Sequence, residues 1–212
     1  MMTQILERTV LTSISIFTTR QAKDIFTQKI FGYQSWFLIH ITCNILTVLL
    51  TTSGVLIIFA NKNWRLIKFP ENSNNHAILG ITVSVLLFTN FIIGVSRPDK
   101  GKVTGFWRRS FFETMHFLVG TAGYFTGVAA CFTGFKAIGE IYGFAGGWTQ
   151  VLVVLNAVMM VVLGVLSDFL RHFEKTKEVD YLKARKLLFW CYSGMVIAFS
   201  VAVIIGVFVK KS

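Results

Sequence analysis

FETMHFLVGTAGYFTGVAACFTGF, residues 112–135, is long enough to cross the hydrocarbon core of a bilayer as one helix. A histidine, His116, lies about one turn inside this run. An ionisable group inside a membrane costs free energy, and by default it marks a functional site. Histidine is also the commonest metal ligand in proteins. What this chain does therefore depends on where His116 lies relative to two similar histidines, His40 and His76.

Four more apolar runs have a similar length: Trp36–Ala60, His76–Val95, Trp148–Ser167 and Leu188–Val209. Apolar residues make up 54% of the 212 positions and charged residues only 15%, which excludes an ordinary soluble domain. A weaker candidate covers Thr9–Thr19, but Glu7 and Arg8 make it a poor span on its own. It is either a marginal first helix that its neighbours hold or the remnant of a longer one. The sequence predicts an all-α membrane protein with five to six transmembrane helices.

The net charge of +11 does not indicate a nucleic-acid partner. No basic recognition motif is present, and lysine and arginine collect in the cytoplasmic loops of membrane proteins. The three cysteines all fall in apolar segments without a CxxC pair, so we interpret them as small buried hydrophobic residues.

The polar stretches between the apolar runs predict the orientation of the chain. Three of them are expected on one face, called side A, and carry two thirds of the 21 lysines and arginines: Arg20–Gln34, Arg97–Arg109 and Asp168–Lys186, the last as a charged hairpin loop. The other two, Asn61–Asn75 and the glycine-rich Lys136–Gly147, are expected as loops on side B. The positive-inside rule assigns side A to the cytoplasm. Both termini then lie on side B if the first segment spans.

Because helices alternate in direction, His40 and His116 are both expected near side A, whereas His76 is expected near side B. At a rise of 1.5 Å per residue, the first two lie about 6–9 Å inside their helix starts. Two imidazoles at one depth on neighbouring helices can bind one haem iron from both sides. The alternative is that each histidine only forms a hydrogen bond between helices.

Two of the histidines open the same short motif, His76-Ala-Ile-Leu-Gly80 and His116-Phe-Leu-Val-Gly120. A glycine four residues after a histidine clears the same helix face, which favours a flat macrocycle beside the ligand. Close helix packing is the other interpretation of these glycines. The fourth histidine, His172, has charged neighbours and is expected to be a solvated surface residue.

These motifs occur in a recognisable order: Trp36-Phe-Leu-Ile-His40, His76-Ala-Ile-Leu-Gly80, Arg97-Pro98 and Arg108-Arg-Ser-Phe-Phe-Glu-Thr-Met-His116-Phe-Leu-Val-Gly120. In this order the chain resembles the cytochrome b561 family over roughly Arg20–Phe135. The branch it is most similar to is attached to DOMON domains in ferric-chelate reductase-like proteins. The resemblance implies one cytochrome b561-like transmembrane domain over 1–212. Residues 1–35 would form a weak first helix and basic connector, 36–135 the best-matched core and 136–212 the last two helices.

The resemblance also implies a four-helix core that binds haem b. His40 and His116 correspond to the cytoplasmic pair of ligands, and His76 corresponds to one ligand of an outer haem. The other outer ligand, a histidine on the first helix, has no counterpart here. Met1 or Met2 could supply a thioether partner, since His/Met ligation of haem is chemically sound. Otherwise His76 is the only protein ligand of that haem, or the second haem is absent.

A transmembrane oxidoreductase is the function that the resemblance implies, with ascorbate or a similar small anionic reductant as cytoplasmic donor. Ferric iron chelate or monodehydroascorbate is the implied acceptor on the outer or lumenal face. No residue is expected to be catalytic in its own right. Side chains expected to bind the reductant or the haem are Arg20, Lys23, Lys29, Arg108 and Arg109, and Glu113 could orient a ligand or pair with a loop lysine. The alternative is a non-catalytic accessory subunit with one haem or none. The expected location is the plasma membrane or an endomembrane vesicle, and a homodimer stays open.

Overall fold

A computed structural model of the chain describes residues 10–61, 74–98, 106–142, 146–177 and 181–208. Its elements in chain order are α1 (Thr12–Gln21), β1 (Lys29–Ile30), β2 (Tyr33–Gln34), α2 (Ser35–Asn61), α3 (Asn74–Val95), α4 (Phe106–Tyr142), α5 (Gly146–Lys177) and α6 (Leu182–Phe208). Within the described residues, five helices, α2 to α6, are long and apolar enough to cross a membrane. The predicted all-α, multi-pass membrane architecture is confirmed.

The first helix is short and polar, yet its side chains are among the most deeply buried in the chain. Ser13, Ser15 and Thr18 are each at most 1% exposed, and the Phe17 ring stacks on Tyr192 of α6 with centroids 4.5 Å apart. Helix α1 contacts α2, α5 and α6. Neighbouring helices therefore hold α1, as one interpretation of Thr9–Thr19 predicted, and residues 1–9 lie outside the described part of the chain.

A two-stranded antiparallel hairpin connects α1 to α2. Ile30 pairs with Tyr33, and the two turn residues between them, Phe31 and Gly32, have φ values of 51° and 81°. Such positive values are normal for a tight hairpin turn but uncommon for a phenylalanine. The hairpin brings the chain back to the start of α2 on the same side of the bundle.

Helices α3 and α4 form the closest antiparallel pair. A Cβ atom at Gly120 of α4 would lie 3.1 Å from Asn90 Nδ2 of α3, and one at Gly123 would lie 3.6 Å from Leu86 Cβ. Gly120 therefore serves close helix packing and not the clearance for a macrocycle that its spacing from His116 suggested. A Cβ atom at Gly80 would meet no atom within 4 Å, so the clearance interpretation still holds there.

Two of the predicted loops are largely helical, and that part of the prediction is wrong. Helix α4 continues through Lys136 to Tyr142, and α5 continues through Asp168 to Lys177 before α6 begins at Leu182. A fall in hydropathy marks where a helix leaves the bilayer, whereas a helix ends only where a breaker or a cap stops it. The stretch Asp168–Lys177 contains neither glycine nor proline, so nothing in it interrupts the backbone ladder.

A network of charged side chains joins α1, α5 and α6 at side A. The Arg185 side chain, 1% exposed, bonds to Asp24 at 2.5 Å and to Glu174 at 3.1 Å. Arg171 bonds to the same Asp24 at 3.3 Å. The described parts of segments 20–34 and 168–186 therefore lie on one face of the bundle, as the alternating direction of the helices predicted.

Candidate functional site

His40 of α2 and His116 of α4 face each other near side A. Their ring centroids are 6.1 Å apart, and the ring planes are inclined at 79°. Two imidazoles that bind one metal ion from opposite sides have centroids roughly 6 Å apart, because each metal–nitrogen bond is about 2 Å long. The prediction that these histidines share one depth is confirmed, and their separation is compatible with a single shared ion.

His40 is held by a polar contact with the first helix. Its Nδ1 lies 2.7 Å from Ser15 Oγ, and Asn44 Nδ2 donates to the same Ser15 Oγ at 2.9 Å. Asn44 also donates to the His40 carbonyl oxygen one turn earlier in α2, at 2.7 Å. Ser15 and Asn44 thus fix the orientation of the His40 ring from two helices.

His116 has different surroundings. Phe112, one turn earlier in α4, stacks on it with centroids 5.7 Å apart and planes inclined at 8°. On another side, a Cβ atom at Gly94 of α3 would lie 3.4 Å from His116 Cε1. The His116 Nδ1 atom is buried and has no hydrogen-bond partner within the described ranges.

His76 lies at the opposite end of the α3–α4 pair. Its Nδ1 is 2.9 Å from the carbonyl oxygen of Ala130. A carbonyl can only accept, so Nδ1 carries the proton and Nε2 keeps its lone pair. This arrangement is common for histidines that ligate metals. Ala130 follows His116 by 14 residues in α4, which at 1.5 Å per residue puts the two histidine levels about 21 Å apart.

The histidines fit haem as a pair of axial ligands and do not form a protein metal cluster. No group of three or more His, Cys, Asp or Glu side chains that could hold a metal ion occurs in the described part of the chain. A haem needs only axial ligands from the protein, since its macrocycle binds the iron in the plane. The separation of His40 and His116 agrees with that requirement.

The predicted cationic residues all lie on side A, but most of them are engaged. Arg109 bonds to Glu113 at 2.6 Å and donates to the Pro98 carbonyl at 3.0 Å. Glu113 therefore pairs with an arginine of its own helix, whereas the loop lysines Lys100 and Lys102 lie outside the described residues. Arg20 lies 3.4 Å from Asp168 and above the Phe117 ring, 5.9 Å from its centroid.

The remaining predicted cations differ in their contacts. Lys23 Nζ lies above the Trp36 ring, 5.1 Å from its centroid. Arg108 and Lys29 have exposed side chains. His172 is exposed, as predicted, whereas Met1 and Met2 lie outside the described residues.

Three polar residues near the histidine pair escaped the sequence reasoning as site residues: Ser15, Asn44 and Arg97. Asn44 lies four residues after His40 and thus on its face of α2, a signal that the spacing carried. The guanidinium of Arg97 lies 5.0 Å from the centroid of Phe37, one turn before His40. Burial and the nearby charge of Arg109 lower the pKa of Arg97, and Glu113 partly offsets this. Nothing in the sequence pattern of α1 singled out Ser15, because it lies in a different helix from both histidines of the pair.

The described fold and its histidines define a polytopic helical membrane protein with imidazole side chains near both ends of the α3–α4 pair. The sequence profile of eukaryotic cytochrome b561 matches residues 11–139, which run from the start of α1 almost to the end of α4. The chain belongs to the cytochrome b561 family.

Two curated proteins are similar to this chain. "Putative ferric-chelate reductase 1" of Xenopus laevis is 32% identical over 123 residues, which are 58% of this chain and 20% of the relative. "Ferric-chelate reductase 1" of Bos taurus is 29% identical over 125 residues, 58% of this chain and 19% of the relative. The chain thus matches about a fifth of the length of these curated relatives. No solved structure is significantly similar to it.

Proposed function

We propose that this protein carries electrons across a membrane as a b-type cytochrome. Electrons enter on side A from a small anionic reductant such as ascorbate and leave on side B to ferric iron chelate or monodehydroascorbate. The observation that carries the proposal is the facing pair His40 and His116, with rings 6.1 Å apart inside the bundle. A paired, half-buried imidazole site in a family of b-type cytochromes supports haem b as the cofactor.

The proposal gives the three histidines separate roles. His40 and His116 would hold a haem near side A, and His76, whose Nδ1 donates to Ala130, would be a ligand through Nε2 near side B. Bound haem supplies an iron centre that accepts and releases one electron. Transfer across the whole membrane needs a second carrier near His76, because the His40–His116 pair serves only the side A half.

A positive rim on side A supports an anionic electron donor. The side chains involved are Arg20, Lys23, Arg97, Arg108 and Arg109. The charge of Arg109 disfavours that of Arg97, and Glu113, which pairs with Arg109, offsets this only in part. A small anion would relieve that repulsion and make charge-assisted hydrogen bonds. The same surplus of basic residues supports a cytoplasmic location of side A.

Ferric iron is the proposed acceptor because the similar proteins of Xenopus laevis and Bos taurus are named ferric-chelate reductases. Their names describe proteins about five times as long as the matched segment. A plasma membrane or an endomembrane vesicle would present such an acceptor to side B.

Visible spectroscopy of the purified protein tests the proposal. We expect a reducible α-band, lost or shifted in His40→Ala and in His116→Ala. His172→Ala is the matched control, since it removes an exposed histidine of side A and should leave the spectrum unchanged. Absence of a reducible haem signal in the wild-type protein, or an unchanged spectrum in both site variants, would contradict the proposal.

A second candidate function is an accessory membrane subunit that keeps the fold with one haem or none. The sequence of α1, TSISIFTTRQ, has neither histidine nor methionine, so this helix offers His76 no second ligand within its described length. Haem stoichiometry distinguishes the two functions. Two haems per chain support transmembrane transfer, whereas one or none favours the accessory subunit.

A further inference from the structure

We infer that Ser15 of α1 is a positioning residue for His40, which it holds as a haem ligand in the Nδ1-protonated form. The inference deepens the proposed function and rests on it. It also gives a reason for an unusual feature of the fold, a polar helix buried among apolar ones. Helix α1 brings the Ser15 hydroxyl to Nδ1 of the His40 ring, which leaves Nε2 to bind the iron.

The first step fixes the orientation of the Asn44 amide. Its Nδ2 lies 2.7 Å from the His40 carbonyl oxygen, which can only accept. The atom at that position must therefore be the amide nitrogen and not its oxygen. The same nitrogen lies 2.9 Å from Ser15 Oγ, so Asn44 donates to the serine as well.

The second step assigns the proton of His40. A serine oxygen has two lone pairs, and Asn44 occupies one of them. The other faces His40 Nδ1 at 2.7 Å, so Nδ1–H can donate to it. Nε2 then keeps its lone pair for iron. In the opposite tautomer Nε2 carries a proton and cannot ligate as a neutral imidazole, so the bound form selects Nδ1–H as the donor.

The third step is the effect on the haem. A ligand histidine that donates its outer N–H is oriented and made more basic by the acceptor, and loss of such partners commonly reduces metal affinity or activity 10- to 100-fold. A more basic imidazole favours the ferric state. His116 Nδ1 has no such partner among the described residues, so the two ligands of the pair differ in this respect.

The environment of Ser15 supports a dedicated role. The residue is 1% exposed, and a hydroxyl buried inside the bundle without a partner would be unfavourable. Ser13 on the same helix is equally buried but is directed to Tyr124 of α4, with the two hydroxyl oxygens 3.4 Å apart. Two buried serines of one helix therefore have separate partners, and only Ser15 contacts His40.

The test is a redox titration of the purified haem protein, with haem retention measured in parallel. We expect Ser15→Ala to raise the midpoint potential of the side A haem and to weaken haem retention about 10-fold. Ser15→Thr keeps the hydroxyl and should restore both towards the wild-type values. Ser13→Ala removes a buried hydroxyl from the same helix and should change neither.

Asn44→Ala keeps the inference testable if Ser15→Ala does not fold. Without the amide the Ser15 hydroxyl is free to turn away, and we expect a smaller shift in the same direction. An unchanged potential in Ser15→Ala overturns the inference, as does an unchanged potential in Asn44→Ala when Ser15→Ala does not fold. Either result leaves the proposed function intact if the wild-type protein binds haem. The proposed function would instead be contradicted by a wild-type protein without a reducible haem signal or by an unchanged spectrum in both His40→Ala and His116→Ala.

Discussion

His76 of α3 lies against Gly134 of α4 so closely that a Cβ atom at Gly134 would come within 2.7 Å of His76 Cε1. The same relationship occurs at the other end of the helix pair, where Gly94 of α3 faces His116 of α4 at 3.4 Å. In each helix the glycine follows the histidine by 18 residues, five turns of an α-helix. Because α3 and α4 are antiparallel, the same histidine–glycine contact occurs at both ends of the pair, so His76 and His116 each lie against a glycine of the neighbouring helix.

Gly134→Ala should displace His76. A separation of 2.7 Å is not found in real structures, so the ring or α4 must move, and the Nδ1 contact with Ala130 at 2.9 Å should be lost. We expect loss of any haem signal that depends on His76, with the His40–His116 signal retained. The measurement is the haem content and α-band of the purified variant.

Gly123→Ala is the matched control for this experiment. Gly123 is a glycine of the same helix α4, and a Cβ atom there would lie 3.6 Å from Leu86 Cβ, an ordinary van der Waals contact. An equal loss of signal in both variants would mean that the contact between α3 and α4 tolerates no added methyl group, and the clash with His76 would not be the cause. A Gly134→Ala protein with the wild-type spectrum would argue against His76 as a ligand.

The sequence predicted most of the helices and the depth of the histidine pair, because long apolar runs and alternating direction determine both. Counting residues into each run was enough to put His40 and His116 at one level. The partners of these histidines were not predictable in the same way. Ser15 meets His40, and Gly94 meets His116, only because particular helices pack side by side. Hydropathy does not tell which helices are neighbours or how each helix is rotated about its own axis.

Arg185→Met should destabilise the side A end of the bundle. The Arg185 side chain is 1% exposed and bonds to Asp24 and Glu174, and loss of such charge-assisted bonds costs about 1.5–3 kcal/mol. Both carboxylates stay partly exposed and can recover water, so the lower end of that range is expected. Thermal unfolding in one detergent should show a lower Tm.

Arg20→Met provides the comparison for that variant. Arg20 and Asp168 form an exposed pair at 3.4 Å, with 56% and 42% of their side chains accessible. Exposed pairs contribute about 0–1 kcal/mol, so the change in Tm should be smaller than for Arg185→Met. Equal changes would show that burial of the Arg185 network adds nothing to stability.

Acid should weaken the contact of α1 with α6 through Asp24. Burial alone would raise the pKa of this carboxyl, but the hydrogen bond from Arg185 and the charges of Arg185 and Arg171 hold it below its usual value. A carboxyl with a lower pKa in the folded state adds stability above its unfolded pKa, about 3.9, and loses it as pH falls through the folded value. The Tm of the wild-type protein should therefore fall more steeply below about pH 4 than that of Asp24→Asn. Parallel curves for the two proteins would contradict the assignment.

Arg97→Gln should slow reduction by ascorbate. Arg97 lies above Phe37, one turn from His40, and shares its surroundings with Arg109, so its loss lowers the positive charge where an anionic donor would bind. A hydrogen bond to a charged group is worth about 1.5–3 kcal/mol, which corresponds to at least roughly a tenfold higher ascorbate concentration for half-maximal reduction. Stopped-flow reduction at several ascorbate concentrations measures the concentration for half-maximal reduction.

Two controls accompany this experiment. With a neutral quinol as donor, Arg97→Gln and the wild-type protein should be reduced equally fast. Lys183→Gln removes an exposed cation of the same face and should have a small effect on reduction by ascorbate that salt abolishes. If Arg97→Gln and Lys183→Gln slow reduction by ascorbate equally, Arg97 acts only through the overall charge of side A and does not contact the donor.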